Sequence, residues 1–176
     1  EREIDRDHLP QNPSSPAVPM WPPPSSGMSP VLAPAPGGTN LPQAIGQSFL
    51  TTRLSESGFI PPDTCGSVGP TQVLVCSNGR IKVYSKTGVL GGLNATTNTF
   101  FNSVRNNSTT SDPQVKYDRL SGRWIVTMIN VSTPNRIMIA VSSGSTITNS
   151  ASFTFFQFQQ DQVAPMGNAG ALADYP

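Results

Sequence analysis

The chain has 176 residues, of which 36% are hydrophobic and 12% charged, and its formal net charge is +1. That size suits one all-β domain plus a tail, the low charge excludes a wholly disordered polyelectrolyte, and the near-neutral balance gives no overall pull toward nucleic acid. No stretch approaches the roughly 18 apolar residues of a membrane span, so no membrane insertion is expected. No basic-then-apolar leader stands at Glu1, a condition shared by a mature secreted protein and a cytosolic one.

Charge is unevenly placed. Glu1, Glu3, Asp5 and Asp7 open the chain, whereas Arg80, Lys82, Lys86, Arg105, Lys116, Arg119, Arg123 and Arg136 fall in the strand-rich part beside Asp112 and Asp118. These cations read either as the solvent side of strands and edges or as a surface for an anionic glycan or acidic partner.

From residue 1 to about residue 44 the chain is dominated by Pro, Ser, Gly and Ala, including Pro22-Pro23-Pro24. Proline removes ladder donors and such composition buries too little to offset its ordering entropy, so an extended, polyproline-like arm is expected. An ordered arm needs support, with Met20, Trp21, Val31 and Leu32 as anchors. A domain of about 120 residues has limited surface for it, which favours packing on other protein chains or on copies of itself over packing on its own domain.

The second region, residues 45 to 176, opens with IGQSFLTTRL, whose alternation reads as a strand able to close a sheet at home or to join a neighbour's edge. The following SGFIPPDTCGSVGP reads as a loop. Gln72 to Cys76 and Arg80 to Tyr84 flank Ser77-Asn78-Gly79, a hairpin signal that predicts a type I′ turn. Cys65 and Cys76 are the only cysteines. They read either as a disulfide, worth about 3 kcal/mol by loop closure, or as two buried thiols.

Asn94 to Ser111 reads as a long surface connection pinned by Phe100 and Phe101. Glycosylation triplets occur at Asn94, Asn106, Asn107 and Asn130, and apply only if the chain passes through a glycosylating secretory route. DPQVKYDRLSGRWIVTMINV then reads as a hairpin, in which Asp118 accepts from turn amides, Gly122 takes positive φ and Trp124 needs a neighbouring sheet to cover it. RIMIAVS from Arg136 and SFTFFQFQ from Ser152 supply two further strands, the last with aromatics on both faces, which suits an element covered on each side. The result is a four-stranded antiparallel meander over Val115 to Asp118, Trp124 to Ile129, Arg136 to Ser142 and Phe153 to Phe158, preceded by a shorter hairpin from a similar unit. Repeated meanders of this kind build propeller blades.

The strings PPDTCGSVGPTQVLVCSNGRIKVYSKTG, SDPQVKYDRLSGRWIVTM, NRIMIAVSS, FTFFQFQQD and ADYP resemble the opening blades of a family of secreted or surface-attached bacterial β-propeller-like proteins, many without an assigned activity. The resemblance spans about Phe49 to Pro176. It is most specific in DPQVKYDRLSGRW, where Asp112, Tyr117, Asp118, Arg123 and Trp124 coincide with the family pattern, and it leaves out the Pro-rich arm. It implies an incomplete β-propeller-like fold in an extracellular location. In such proteins further blades follow ADYP, so the chain reads first as a fragment, then as a unit completed by other chains, then as a sandwich closed on itself.

Catalytic patterns are missing from the sequence. His8, the single histidine, stands in the arm, and neither a nucleophile elbow nor a phosphate-cradling glycine loop is present, so no cofactor is expected. Asp112 and Asp118 read either as weak calcium ligands or as turn caps. Tyr117, Trp124, Phe155 and Phe156 read either as sugar-stacking platforms or as core. The expected function is a non-catalytic structural or binding module of a surface assembly; the alternative is the N-terminal part of a polysaccharide hydrolase whose acidic residues lie elsewhere.

Overall fold

A computed structural model describes residues 46–162 and 172–176. Two four-stranded antiparallel sheets dominate them, each a meander in which every strand pairs with its neighbour in the chain. The first sheet contains β1 (Cys65–Val68), β2 (Gln72–Ser77), β3 (Arg80–Ser85) and β4 (Leu90–Ala95), and the second β5 (Thr110–Asp118), β6 (Arg123–Asn130), β7 (Arg136–Ser142) and β8 (Phe153–Gln159). The four-stranded unit anticipated at the C-terminal half is therefore present, and the expected shorter hairpin is itself a full sheet. The two sheets do not close into a ring.

Alternation assigns each strand an inner and an outer row. Leu74, Cys76, Ile81, Val83 and Leu93 of the first sheet join Val115, Trp124, Val126, Met128, Met138, Ala140 and Phe153 of the second in one buried cluster. Complete burial of each such aliphatic side chain is worth about 1.5–3 kcal/mol, which makes this shared layer the main source of stability. The short helix α1 (Leu54–Ser57) precedes the sheets and α2 (Thr97–Phe100) joins them. Phe100, at the end of α2, packs edge-on to Phe101 at 4.9 Å and to Phe153 at 5.1 Å, so the polar connection is pinned by its two aromatics as expected.

The sheets meet along a seam. Trp124 lies over Gly69, where any Cβ would collide with the indole. Its Nε1 donates to Ser145 O at 2.9 Å, and its ring stands 4.8 Å from that of Tyr117. The main-chain N–H of Tyr117 donates to Ser67 Oγ of β1 at 3.0 Å. Gln72 binds the backbone of Ile147 through both ends of its amide, at 2.9 and 2.7 Å.

The strand expected over Ile45 to Leu54 does not form in the described part. Gly46 to Arg53 is instead without regular secondary structure, and its Phe49 and Thr51 lie over the outer row of the first sheet. Phe49 packs on Tyr84 with ring centroids 5.4 Å apart, and the Tyr84 hydroxyl donates to Thr51 O. Lys82, only 4% exposed, reaches Glu56 Oε1 at 2.5 Å and Thr51 O at 3.2 Å beneath this strap. The outer-row residues Lys82 and Tyr84 are thus covered by preceding chain, and Val75 and Ser77 in the same row are buried as well.

The β2–β3 turn departs from type I′, since Gly79 (φ 84°) has positive φ and Asn78 does not. The reason is tertiary: the Asn78 N–H donates to Pro62 O at 2.7 Å, which holds the turn against the preceding loop.

Candidate functional site

Each sequence-derived candidate can be placed by its local structure. Asp118 closes the β5–β6 turn: its carboxylate accepts from Leu120 N at 3.0 Å, Ser121 N at 3.2 Å and Ser121 Oγ at 2.5 Å, while Gly122 adopts φ 66°. The Ser121 hydroxyl, followed by the two turn amides, holds this carboxyl below its ordinary value. Asp118 serves as the turn cap, and Arg123 faces it in register on the adjacent strand.

Asp112 lies elsewhere. It has φ 57° where the β5–β6 register shifts between Ser111 and Gln114, a bulge that interrupts the ladder. Its N–H donates to Asn78 Oδ1 at 3.0 Å, and the Asn78 amide donates to Asp63 Oδ2 at 2.8 Å and to Pro61 O at 3.1 Å. Asp63 in turn accepts from the Tyr175 phenol; this bond, reinforced by the negative charges of Asp63, Asp112 and Asp174, pushes the phenol above its ordinary value. Asn78 therefore clasps the loop before β1, the tip of β2–β3 and the bulge of β5, and Asp63 extends that clasp to the chain segment at Tyr175. Among the described residues no group of three or more His, Cys, Asp or Glu side chains is placed to hold a metal ion. Asp112 and Asp118 belong to separate hydrogen-bonded turns, at opposite ends of β5.

Cys65 and Cys76 are register partners on β1 and β2, yet both are free thiols, so the disulfide reading is corrected in favour of two thiols. Desolvation raises the pKa of both, and far more for Cys76 in the shared core, where the thiolate needed for oxidation is strongly disfavoured.

Among the glycosylation triplets, Asn94, Asn106 and Asn107 are exposed and the last two occupy positive φ in a turn. Asn130 is corrected: it is 0% exposed, its amide donates to Arg105 O, Ser132 Oγ and Pro134 O, and its Oδ1 accepts from Arg136 N at 2.5 Å. A glycan has no room there in the folded chain. Tyr117 and Trp124 belong to the core or its margin, which leaves Phe156 as the exposed aromatic of the platform candidates. The arm anchors Met20, Trp21, Val31 and Leu32, and His8, lie outside the described residues.

One apolar surface is more exposed than the sequence suggests. β8 was expected to be covered on both faces. Its inner-row residues Phe153 and Phe155 do pack on the core, but Phe156 and Phe158 remain 53% and 39% exposed. They share the outer row with half-buried Ile137 and Ile139 of β7, their partners in register, and with Val141, which pairs with Thr154. Arg136, Gln157, Phe158, Gln159 and Gln162 line a groove of about 380 Å³ along this strand. No helix among the described residues is long and apolar enough to cross a membrane. Comparison with family models, with curated proteins and with solved structures finds no match.

Proposed function

We propose that the chain is an extracellular, non-catalytic structural and binding module of a cell-surface or secreted assembly, joined to its neighbours by its sheet edges and its N-terminal arm. The observation that carries this reading is the outer row of β7 and β8, where Phe156 and Phe158 stand exposed beside Ile137, Ile139 and Val141. A contiguous apolar sheet face of this kind is uncommon on a free monomer and marks a contact surface. The inner row of the same sheet already stacks on another four-stranded meander, so a further sheet laid on the outer row would extend the arrangement in the propeller-like manner that the DPQVKYDRLSGRW resemblance implies. Extracellular placement rests on that resemblance.

The test uses the full chain. Light scattering across a concentration series, with chemical cross-linking, should show mass rising as protein is added or capture of a defined protein partner at this face. Turnover of a polysaccharide by a strictly monomeric chain would replace the module with the hydrolase.

A further inference from the structure

The Asn78-Gly79 pair that turns β2 into β3 is the only Asn-Gly in the chain. Asparagine before glycine is chemically among the least durable of residue pairs, because glycine has no Cβ to shield its nitrogen from the neighbouring side-chain amide. The Gly79 nitrogen attacks Asn78 Cγ, a C–N bond forms, the bond to Nδ2 breaks, and ammonia leaves carrying the proton of the Gly79 N–H. Water then opens the cyclic imide at either carbonyl, which leaves aspartate or isoaspartate at position 78.

The fold withholds this pair from that reaction. Asn78 is 5% exposed and both ends of its amide are engaged: Nδ2 donates to Pro61 O at 3.1 Å and to Asp63 Oδ2 at 2.8 Å, while Oδ1 accepts from Asp112 N at 3.0 Å and Ser111 Oγ at 3.5 Å. Its own N–H is held by Pro62 O at 2.7 Å. Swinging Cγ over the Gly79 nitrogen means surrendering those side-chain bonds together, one of them to a carboxylate. Gly79 is fixed as well, since it has φ 84° and a Cβ there would stand 2.0 Å from Ser57 O. The reactive pair is therefore a structural requirement of this turn.

We infer that Asn78 is a deamidation site guarded by its own clasp: it reacts when the clasp opens, and the product prevents the clasp from closing again. Asp63 is responsible for the second half. In the intact chain its carboxylate accepts from the Asn78 amide; in the product a carboxylate oxygen stands where Nδ2 stood, 2.8 Å from Asp63 Oδ2 and 3.1 Å from Pro61 O, with no donor between them. Attraction becomes repulsion between like charges. The isoaspartate form also lengthens the main chain within a short turn whose geometry sets the register of β2 and β3. Modified chains thus lose the tie between the hairpin tip and the bulge of β5, and they accumulate in proportion to time spent open.

Peptide mapping of the full chain after prolonged incubation in mildly alkaline buffer, with and without urea, tests the guard, with exposed Asn107, which precedes Ser108, as internal reference. In urea Asn78 should convert ahead of every other asparagine. In the native chain its rate relative to Asn107 should fall by about a hundredfold or more, reflecting the several hydrogen bonds that must be given up. A native relative rate close to that in urea overturns the guard. Asn78→Asp installs the product directly and should lower the urea midpoint, and adding Asp63→Asn, which removes the opposed charge and supplies a donor, should recover much of the loss. An Asn78→Asp chain as stable as wild type, or a loss that Asp63→Asn leaves unrelieved, overturns the block on re-closing. If Asn78→Asp alone fails to fold, cooperative unfolding regained in the double variant supports the block, and its absence overturns it.

Discussion

Asn78 at the tip of the β2–β3 hairpin accepts the main-chain N–H of Asp112, 34 residues further along, at 3.0 Å. One amide thus ties the first sheet to the bulge of the second, while its other end holds Pro61 and Asp63. Asn78 is 5% exposed, so truncation would strand its partners away from water. Asn78→Ala should lose about 2–3 kcal/mol, seen as a lower urea midpoint at constant slope. A loss under about 0.5 kcal/mol would mean that water replaces the clasp at no cost.

Gly69 is the seat of Trp124, and a methyl group there would overlap the indole. Gly69→Ala should therefore cost about 1–3 kcal/mol by overpacking, accompanied by a changed near-ultraviolet circular dichroism signal as the ring shifts. Unchanged stability with an unchanged signal would show that the seam has slack.

Glu56 and Asp118 both titrate below their ordinary values, Glu56 because Lys82 and the Arg53 N–H bind its carboxylate and Asp118 because Ser121 does. A carboxyl lowered on folding adds stability that is present above the unfolded value, near pH 4, and is lost as pH falls through the folded value. Replacing both, as Glu56→Gln with Asp118→Asn, should flatten the dependence of unfolding free energy on pH below about pH 5 and leave it unaltered between about pH 6 and 8. Tyr175 works in the opposite direction, because its raised phenol adds stability that is lost as the solution becomes strongly alkaline.

Two free thiols make a further expectation. Cys76 lies in the core and Cys65 is half covered, and burial raises both thiols. Titration with an aromatic disulfide reagent should find about two thiols per chain in denaturant, with Cys65 reacting slowly in the native state and Cys76 only on unfolding. Fewer thiols in denaturant under non-reducing conditions would restore the bridge.

Strong local pattern carried most of the second sheet. RIMIAVS matches β7 residue for residue, and the turn chemistry of Asp118 and Gly122 was readable because both act on neighbours in the chain. β1 (CGSV) and β4 (LGGLNA) were not readable, since short glycine-bearing segments become strands by pairing with β2 and β3. The strap at Phe49 failed for the same reason: alternation predicted a strand, and Tyr84 and Lys82 held it as a cover over a sheet face. Asn78 announced a turn but not its tertiary bonds, and the exposure of Phe156 depends on where β8 falls in the strand order, which no window of sequence contains.

The separation in sequence of the seam contacts has a kinetic consequence. Within each meander every strand meets a partner a few residues away, whereas Ser67 waits for Tyr117 and Gln72 waits for Ile147, 50 and 75 residues on. Loop closure over such spans delays non-local contacts. Each meander is therefore expected to assemble before the two dock, with Trp124 sealed over Gly69 late, so that the change in its fluorescence should follow the slow phase of refolding.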